Sequence, residues 1–314
     1  MQNMKKIFNI LAIAAVAVML AGCKSDEPKQ PSIFNDIKQD QSSSVTAEFD
    51  KWLSDNYTMV YNVDFQYKMF DGNTDDDYNL TPTGLQRSQE LARIIKYLWF
   101  DVYGTVVNPE FLKQYGPRVI MLIGSYAVNA SNGTITLGTA EGGIKVTLYG
   151  MNELKMNDIE MLNEFIFETM HHEFSHILHQ TKVYPKEFEQ LTPGTYSPTG
   201  WQNRSDTEAR KMGYVGAYAS SQPREDFVET IARYITKSDA DWQALLAEAA
   251  EGEVSKGVSG KDMILQKWDI ANTWLAEKWG ISLQRLHEEV QKRQNLLFAH
   301  YDDIMNDDYS FLNE

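Results

Sequence analysis

The spacing of apolar residues changes along the chain, from alternation in the first half to helical repeats in the second. Alternation over 59–70 and 144–149 and an apolar run over 118–125 predict three strands. Spacings of three and four residues predict helices over 45–56 and 83–103 in the same half. Beyond these, the pattern predicts helices over 158–180, 207–213, 224–236, 239–249, 261–278 and 283–302. Early strands and late helices are typical of an α+β domain.

Two polar segments interrupt these elements. Asn132-Gly133 is a turn signal for a β-hairpin. Residues 71–77 are acidic and carry oxygen ligands at the first, third and fifth positions of a calcium-binding loop. Because Asp76 and Pro82 replace the glycine at the sixth position and the glutamate at the twelfth, we interpret this segment as a solvated loop.

The composition narrows the classes of function. The chain has 314 residues, of which 43% are hydrophobic, which is enough for a folded core. Its 44 acidic and 29 basic residues give a net charge of −15, which argues against nucleic acid as a partner because phosphate binding needs clustered Lys and Arg. The single cysteine excludes a disulfide scaffold and a cysteine-rich zinc site. The mean hydropathy of −0.42 excludes a polytopic membrane protein.

The first 22 residues have the pattern of a secretion signal. Two lysines precede an apolar stretch over 7–21, which is shorter than the roughly 20 residues that a transmembrane helix needs. The stretch ends in Leu20-Ala21-Gly22-Cys23, which resembles a bacterial lipobox, in which the cysteine is lipidated and becomes the mature N-terminus. We therefore expect a signal peptide over 1–22 and a lipid anchor on Cys23; an ordinary secretion signal with a chance cysteine is the alternative.

The residues after the cysteine suggest where the protein is anchored. Lys24-Ser25-Asp26-Glu27 resembles the surface-export signal of Bacteroidetes lipoproteins, and the aspartate that would retain a lipoprotein in the inner membrane is absent directly after Cys23. We expect an outer-membrane lipoprotein that is exposed at the cell surface, with a periplasm-facing one as the alternative. The composition of 23–45 predicts a flexible tether, which leaves 46–314 as the folded domain.

Four of the six histidines lie between 171 and 179, and residues 172–176 read His-Glu-Phe-Ser-His, an HExxH motif. On a helix, residues four apart share one face about 6 Å apart, so His172 and His176 can bind one zinc ion with bonds of about 2.0–2.1 Å. Glu173 between them is placed to accept a proton from water at the metal. The alternative, a helix that is merely rich in histidine, is weak because only two histidines occur elsewhere.

A catalytic zinc ion needs a third protein ligand and an open fourth position. The metzincin pattern fails, because its glycine and third histidine are missing. His179 lies about 10 Å along the helix axis from His172, so we expect it in the core or behind the ligands. Glu225 and Glu229, four residues apart on a predicted helix, would supply one ligand and one carboxylate that accepts a hydrogen bond from a ligating imidazole. A solvated acidic first turn is the alternative.

The HExxH motif, followed after roughly fifty residues by Glu-Asp-Phe-x-Glu, resembles the zinc-binding metallopeptidases of Bacteroidetes. These are also called substrate import-associated zinc metallohydrolase lipoproteins, and they accompany SusC/SusD-type outer-membrane uptake systems. The Glu-x-Phe-x-Glu arrangement is also similar to gluzincins of the anthrax lethal factor type. The resemblance implies a zincin-like fold for 46–314, with a small N-terminal sheet, an active-site helix and a largely helical C-terminal half. It also implies one Zn²⁺ per chain.

The same resemblance implies roles for individual residues. His172, His176 and Glu225 would bind zinc and Glu173 would act as the base. Glu229 would be the hydrogen-bond partner behind the ligands, and Tyr218, seven residues before Glu225, would donate a hydrogen bond to the oxyanion. The choice between the two glutamates of the second helix stays open, because an aspartate interrupts the apolar character of that motif. For the tyrosine, an ordinary core position is the alternative.

The motif predicts a zinc metallopeptidase that acts on peptides or proteins and is attached to the membrane through its lipid. The resemblance implies that it is associated with a SusC/SusD-type complex. In zincins an extended substrate lies along a sheet edge, for which 144–149 is our candidate. One alternative is a non-catalytic accessory lipoprotein that binds substrate for the importer. Another is a hydrolase of a non-peptide amide, such as one on a glycan.

Overall fold

The computed structural model describes residues 45–69, 78–128, 135–136, 138–141 and 144–313. The chain separates into two compact units, 1–50 and 51–314, and the architecture below is that of the second. The predicted signal peptide, Cys23, the acidic run 71–77 and the turn at 132–133 lie outside the described residues, as does nearly all of the predicted tether. Within the described part of the chain, no helix has the length and apolar character needed to cross a membrane.

A four-stranded mixed sheet is formed by the first half of the chain. Three strands, β1 (Asp64–Gln66), β2 (Val119–Leu122) and β6 (Lys145–Leu148), run parallel in that order, and β5 (Gly138–Glu141) pairs antiparallel with β6. Two further strand pairs are antiparallel and separate from this sheet. They are formed by β3 (Ala127–Val128) with β4 (Ile135–Thr136) and by β7 (Glu253–Ser255) with β8 (Val258–Ser259).

Thirteen α-helices make up nearly half of the described residues. Their bounds are α1 Ala47–Leu53, α2 Met59–Tyr61, α3 Leu85–Ile95, α4 Asp101–Val106, α5 Phe111–Tyr115, α6 Ile159–Leu162, α7 Glu168–Thr181, α8 Asp206–Lys211, α9 Pro223–Thr236, α10 Asp239–Ala249, α11 Gly260–Trp279, α12 Leu283–Leu297 and α13 Tyr301–Met305. Single π-helical turns at Ser54–Thr58, Lys96–Phe100 and Asn163–Phe167 join α1 to α2, α3 to α4 and α6 to α7. The predicted α+β class, with a small N-terminal sheet and a helical C-terminal half, is confirmed.

Two strand predictions are wrong in part. The helix continues through Met59–Tyr61 and ends at Asn62, whose φ of 56° lies in the left-handed region, so only Asp64–Gln66 of the predicted strand 59–70 is extended. The segment 144–149 is not a sheet edge, because β6 is hydrogen-bonded to β2 on one side and β5 on the other. The edge strands are β1 and, next to β6, β5, whose sequence Gly-Thr-Ala-Glu carries no large apolar residue and therefore no strand signal.

The packing of α7 against α9 sets the position of the histidines. Each helix buries an apolar face formed by residues four apart; these are Met170, Phe174 and Leu178 on α7, and Phe227, Ile231 and Ile235 on α9. The edge strand lies against the same α7, since a Cβ atom on Gly138 would come within 2.4 Å of the Thr169 Cγ2 atom. The HExxH helix is therefore held between a helix on one side and the sheet edge on the other.

Candidate metal centre

Three side-chain atoms converge between α7 and α9. His172 Nε2 and His176 Nε2 are 3.1 Å apart, one helical turn from each other. Glu225 Oε2, from the first turn of α9, lies 3.1 Å from His176 Nε2 and 3.2 Å from His172 Nε2. Three ligands of a tetrahedral zinc ion with bonds of about 2.0 Å are separated by about 3.3 Å, so this nearly equilateral triangle fits a zinc ion.

The opposite nitrogen of each imidazole has a partner of its own. His172 Nδ1 lies 2.7 Å from Glu229 Oε1, and His176 Nδ1 lies 2.8 Å from His179 Nε2. When each Nδ1–H donates to its partner, each Nε2 presents a lone pair to the centre of the triangle, as a metal ligand must. The structure thus places Glu229 and His179 behind the two histidines, and Glu225, not Glu229, beside both Nε2 atoms.

The second carboxylate oxygen of Glu225 is also held. Gln222 Nε2 donates to Glu225 Oε1 at 3.3 Å, and Arg224 Nε lies 3.3 Å from the same oxygen. These contacts leave Oε2 directed at the histidines. Neither Gln222 nor Arg224 belongs to the recognised motif, and sequence reasoning missed both as partners of Glu225, although both lie within three residues before it at the start of a predicted helix.

Glu173 lies beside the triangle rather than at its corner. It offers a carboxylate oxygen within 4.8 Å of nitrogen atoms of His172 and His176, a looser fit than that of Glu225. Burial raises the pKa of Glu173 above its ordinary value, against the opposing influence of the two histidines. A carboxylate with a raised pKa next to a metal-binding triangle is suited to accept and return a proton.

Tyr218 is on a 3₁₀ turn, Tyr218–Ser220, and faces the same centre. Its ring lies 5.9 Å from the His172 ring and 4.9 Å from the Trp201 ring, measured between centroids. Burial and the nearby Glu225 raise the pKa of the phenol, so the hydroxyl keeps its proton and remains a hydrogen-bond donor. Trp201, which sequence reasoning missed, packs edge-on against this ring and restricts its orientation.

The charges of the centre favour a cation. Burial lowers the pKa of His172, but its hydrogen bonds to Glu225 and Glu229 outweigh burial and raise it to about 10. The histidines in turn lower the pKa of Glu225, which stays ionised despite burial. Two ionised carboxylates facing two imidazoles therefore bind a proton strongly or, in its place, a metal cation.

Asp226, which interrupts the apolar motif, points away from the metal centre. Its Oδ2 atom lies 2.6 Å from Lys267 Nζ on α11, and Tyr196 donates a hydrogen bond to the same oxygen at 2.7 Å. Both charged groups are fully buried. Sequence reasoning missed this pair, although Lys267 stands at a helical spacing among apolar residues such as Ile264 and Ala271, where a lysine is unusual.

A cleft of about 1170 Å³ opens at the centre and runs beside the N-terminal half of α7 and the C-terminal half of α9. Its walls include Glu173, Tyr218, Trp201 and Gly138 of the edge strand. Eight carboxylates and three cationic side chains line the cleft. They are Glu160, Glu164, Glu168, Glu173, Asp206, Glu229, Asp241 and Glu248, against Arg210, Arg233 and Lys237. The cleft is large enough for a segment of polypeptide and is predominantly negative.

The chain is similar to known proteins over most of its length. The model of a family described as "putative zinc-binding metallo-peptidase" matches residues 42–284. The chain is also similar to a solved structure described as the crystal structure of a putative zinc-binding metallo-peptidase from Bacteroides caccae, with 40% sequence identity and a TM-score of 0.70. That match covers 83% of this chain and 96% of the other. No curated protein matches the chain. The family resemblance carried by the HExxH motif and the Glu-Asp-Phe-x-Glu segment is confirmed.

Proposed function

Since the chain belongs to the "putative zinc-binding metallo-peptidase" family, we propose that it is a zinc-dependent hydrolase of peptide bonds. The observation that carries this proposal is the triangle of His172 Nε2, His176 Nε2 and Glu225 Oε2, with Glu173 beside it in an open cleft. A purely structural zinc site uses four protein ligands and needs no adjacent carboxylate, whereas this arrangement offers three ligands and a free base.

One Zn²⁺ per chain would be held by His172, His176 and Glu225. When bound, zinc supplies Lewis acidity, which polarises a carbonyl group and makes water more acidic. Glu229 and His179 support the two imidazoles from behind, keeping each Nδ1 protonated and each Nε2 free to coordinate. The ligands are thus oriented before the metal arrives.

The remaining chemistry belongs to side chains of the cleft. Glu173 takes a proton from the attacking water and returns it to the leaving amine, for which its raised pKa is suited. The Tyr218 hydroxyl donates a hydrogen bond to the oxyanion that develops on the carbonyl oxygen. Trp201 holds the tyrosine ring toward His172, so this donor is in place before the charge develops.

An extended peptide is the substrate that the cleft fits best. The edge strand β5 lies against α7 at Gly138 and Thr169, so a peptide that adds to this edge would pass the metal centre. Backbone pairing with β5 would contribute affinity irrespective of sequence, and the side chains of the cleft would select among substrates. This edge takes the role that the alternation over 144–149 had suggested for β6.

Attachment to a membrane is a further part of the proposal and is supported by sequence alone. The segment Leu20-Ala21-Gly22-Cys23 supports a lipid on Cys23, and the acidic residues after it support exposure at the surface of an outer membrane. The proposed setting is a SusC/SusD-type uptake complex, in which the enzyme would act on peptides or proteins. Fractionation of membranes with Cys23→Ala tests the anchor, which is refuted if the variant still sediments with the outer membrane.

A peptide-library digest with the zinc-loaded protein tests the enzymatic proposal. We expect cleavage by the wild type and by Glu187→Gln, which changes an exposed carboxylate that is not among the residues lining the cleft, and none by Glu173→Gln. A protein that binds zinc and peptides but cleaves none of them would instead be the non-catalytic accessory lipoprotein. Cleavage that survives in Glu173→Gln would refute the assignment of the base.

A further inference from the structure

Arg233 lies on α9 one turn after Glu229, and its guanidinium reaches carboxylates on three elements. None of the metal-binding or catalytic side chains named above is in direct contact with it. We propose that Arg233 is a positioning residue. Through two separate chains of contacts it fixes the position of His172 relative to that of Tyr218. This inference rests on the proposed function, because it concerns how the metal site and the oxyanion donor are aligned.

The first chain of contacts leads to the metal ligand. Arg233 Nε donates to Glu229 Oε2 at 3.0 Å, while Glu229 Oε1 lies 2.7 Å from His172 Nδ1. Arg233 Nε is also 3.0 Å from Oε1 of Glu168, which lies on α7 one turn before His172. The guanidinium therefore determines which oxygen of Glu229 faces the imidazole and ties α9 to the HExxH helix at the level of the first ligand.

The second chain of contacts leads to the tyrosine. Arg233 Nη1 lies 3.7 Å from Asp206 Oδ2, and Asp206 Oδ1 accepts a 2.8 Å hydrogen bond from the backbone N–H of Ala217, the residue before Tyr218. The polypeptide backbone at Gly216 lies close to both of these side chains. A Cβ atom on Gly216 would be 3.1 Å from Arg233 Cζ and 3.2 Å from Asp206 Oδ1. The turn that carries Tyr218 is thus hydrogen-bonded to the same ion-pair network.

The chemistry of arginine explains why one side chain can serve both chains of contacts. A guanidinium is planar and always charged, and it presents donors in two directions, whereas a lysine ammonium is a point charge. Only 18% of the Arg233 side chain and 8% of the Glu229 side chain are exposed, so these ion pairs are weakly screened by water. Asp206 is also held by Arg210, whose Nη2 atom donates to Asp206 Oδ2 at 3.2 Å. Without the Arg233 guanidinium, Glu229 would lose its partner on α9 and Asp206 its link to α9, so the metal ligand and the tyrosine would no longer be tied to one side chain.

The test uses a different readout for each of the two chains of contacts. Zinc affinity, from competition with a chromophoric chelator, reports on His172; affinity of the zinc-loaded protein for a phosphonamidate peptide, together with kcat at saturating zinc, reports on Tyr218. We expect Arg233→Met to weaken zinc binding by about tenfold to a hundredfold, the usual effect of losing a partner behind a ligand, and also to lower kcat. Asp206→Ala should lower kcat and phosphonamidate affinity while leaving zinc affinity within about twofold of wild type. Arg233→Lys should restore only part of the loss.

A matched control distinguishes positioning from general stability. Arg293→Met removes another buried arginine ion pair, 5% exposed and paired with Glu289 at 2.6 Å, and should leave zinc affinity unchanged. The losses in zinc affinity from Arg233→Met and Glu229→Gln should not add in the double variant, because both act through His172.

Three results would each overturn the proposal. They are additive losses of zinc affinity in the double variant, a loss of zinc affinity in Arg293→Met equal to that in Arg233→Met, and wild-type zinc affinity in Arg233→Met. If Arg233→Met does not fold, the difference expected for Asp206→Ala between zinc affinity and phosphonamidate affinity still decides the second chain of contacts. The zinc and phosphonamidate measurements need no turnover. If they follow the expected pattern while no peptide is cleaved, the peptidase function fails and the positioning role stands.

Discussion

Replacing Lys267 by Met should destabilise the fold strongly and leave a recognisable pH signature. Lys267 Nζ lies 2.6 Å from Asp226 Oδ2, and the two side chains are 1% and 0% exposed. Removing one partner of a buried ion pair leaves the other charge uncompensated, which typically costs about 3–5 kcal/mol. For a unit of this size each kcal/mol lowers Tm by about 2 °C, so the expected decrease is roughly 6–10 °C.

Protonation of Asp226 limits how much stability Lys267→Met can lose. Burial already raises the pKa of the Asp226 carboxyl, against the opposing effect of Lys267, and without the lysine the pKa should rise further. A carboxyl group with a pKa above its unfolded value binds more protons in the folded state, so its contribution to stability falls as pH increases. The difference in unfolding free energy between Lys267→Met and the wild type should therefore narrow as the pH is lowered. The hydrogen bond from Tyr196 to Asp226 remains in the variant and offsets part of the cost.

Thermal and urea unfolding, followed by circular dichroism at several pH values, measure this effect. Lys211→Met removes an exposed ion pair with Glu251 and should leave Tm unchanged within error. The double variant Asp226→Asn/Lys267→Met removes both charges and should recover much of the stability. A Tm of Lys267→Met within 2 °C of wild type, or a deficit that grows toward acid pH, would refute the reasoning.

Further predictions concern the metal, its pH dependence and the substrate. Glu225→Ala should weaken zinc binding far more than His179→Ala, because Glu225 Oε2 is 3.1 Å from the ligating nitrogen of His176; equal losses in a chelator titration would contradict this. In the metal-free protein the pKa of His172 is raised to about 10. The protonated imidazole should therefore contribute fully to the free energy of unfolding below a pH of about 6.5, and this contribution should be lost as the pH rises through 10. Urea unfolding after chelator treatment measures this change. Zinc must displace that proton, so its affinity should increase with pH over the same range, and a flat profile would count against the ligand assignment. Because eight carboxylates line the cleft against three cations, peptides that carry Lys or Arg should have a lower KM than matched peptides with Glu, and the preference should weaken with added salt.

The parts of the site that lie within one helix could be predicted from the sequence. The spacing of His172, Glu173 and His176 places two imidazoles on one face of any helix, and the apolar residues around them show that this helix is buried. Glu225 and Glu229 could be paired by the same rule, although only the structure shows which of them faces both histidines. Helical periodicity is a local property, and it survives in the folded protein.

Contacts between distant segments were decided by tertiary packing. No local pattern joins Arg233 to Glu168 or Lys267 to Asp226, because each pair meets only after two helices have packed together. The sheet edge was misplaced for the same reason. Alternation shows that Lys145–Leu148 is a strand but not which strands flank it, while Gly138–Glu141 becomes a strand only by pairing with it. A strand at an edge is defined by its neighbours, and neighbours are a property of the three-dimensional fold.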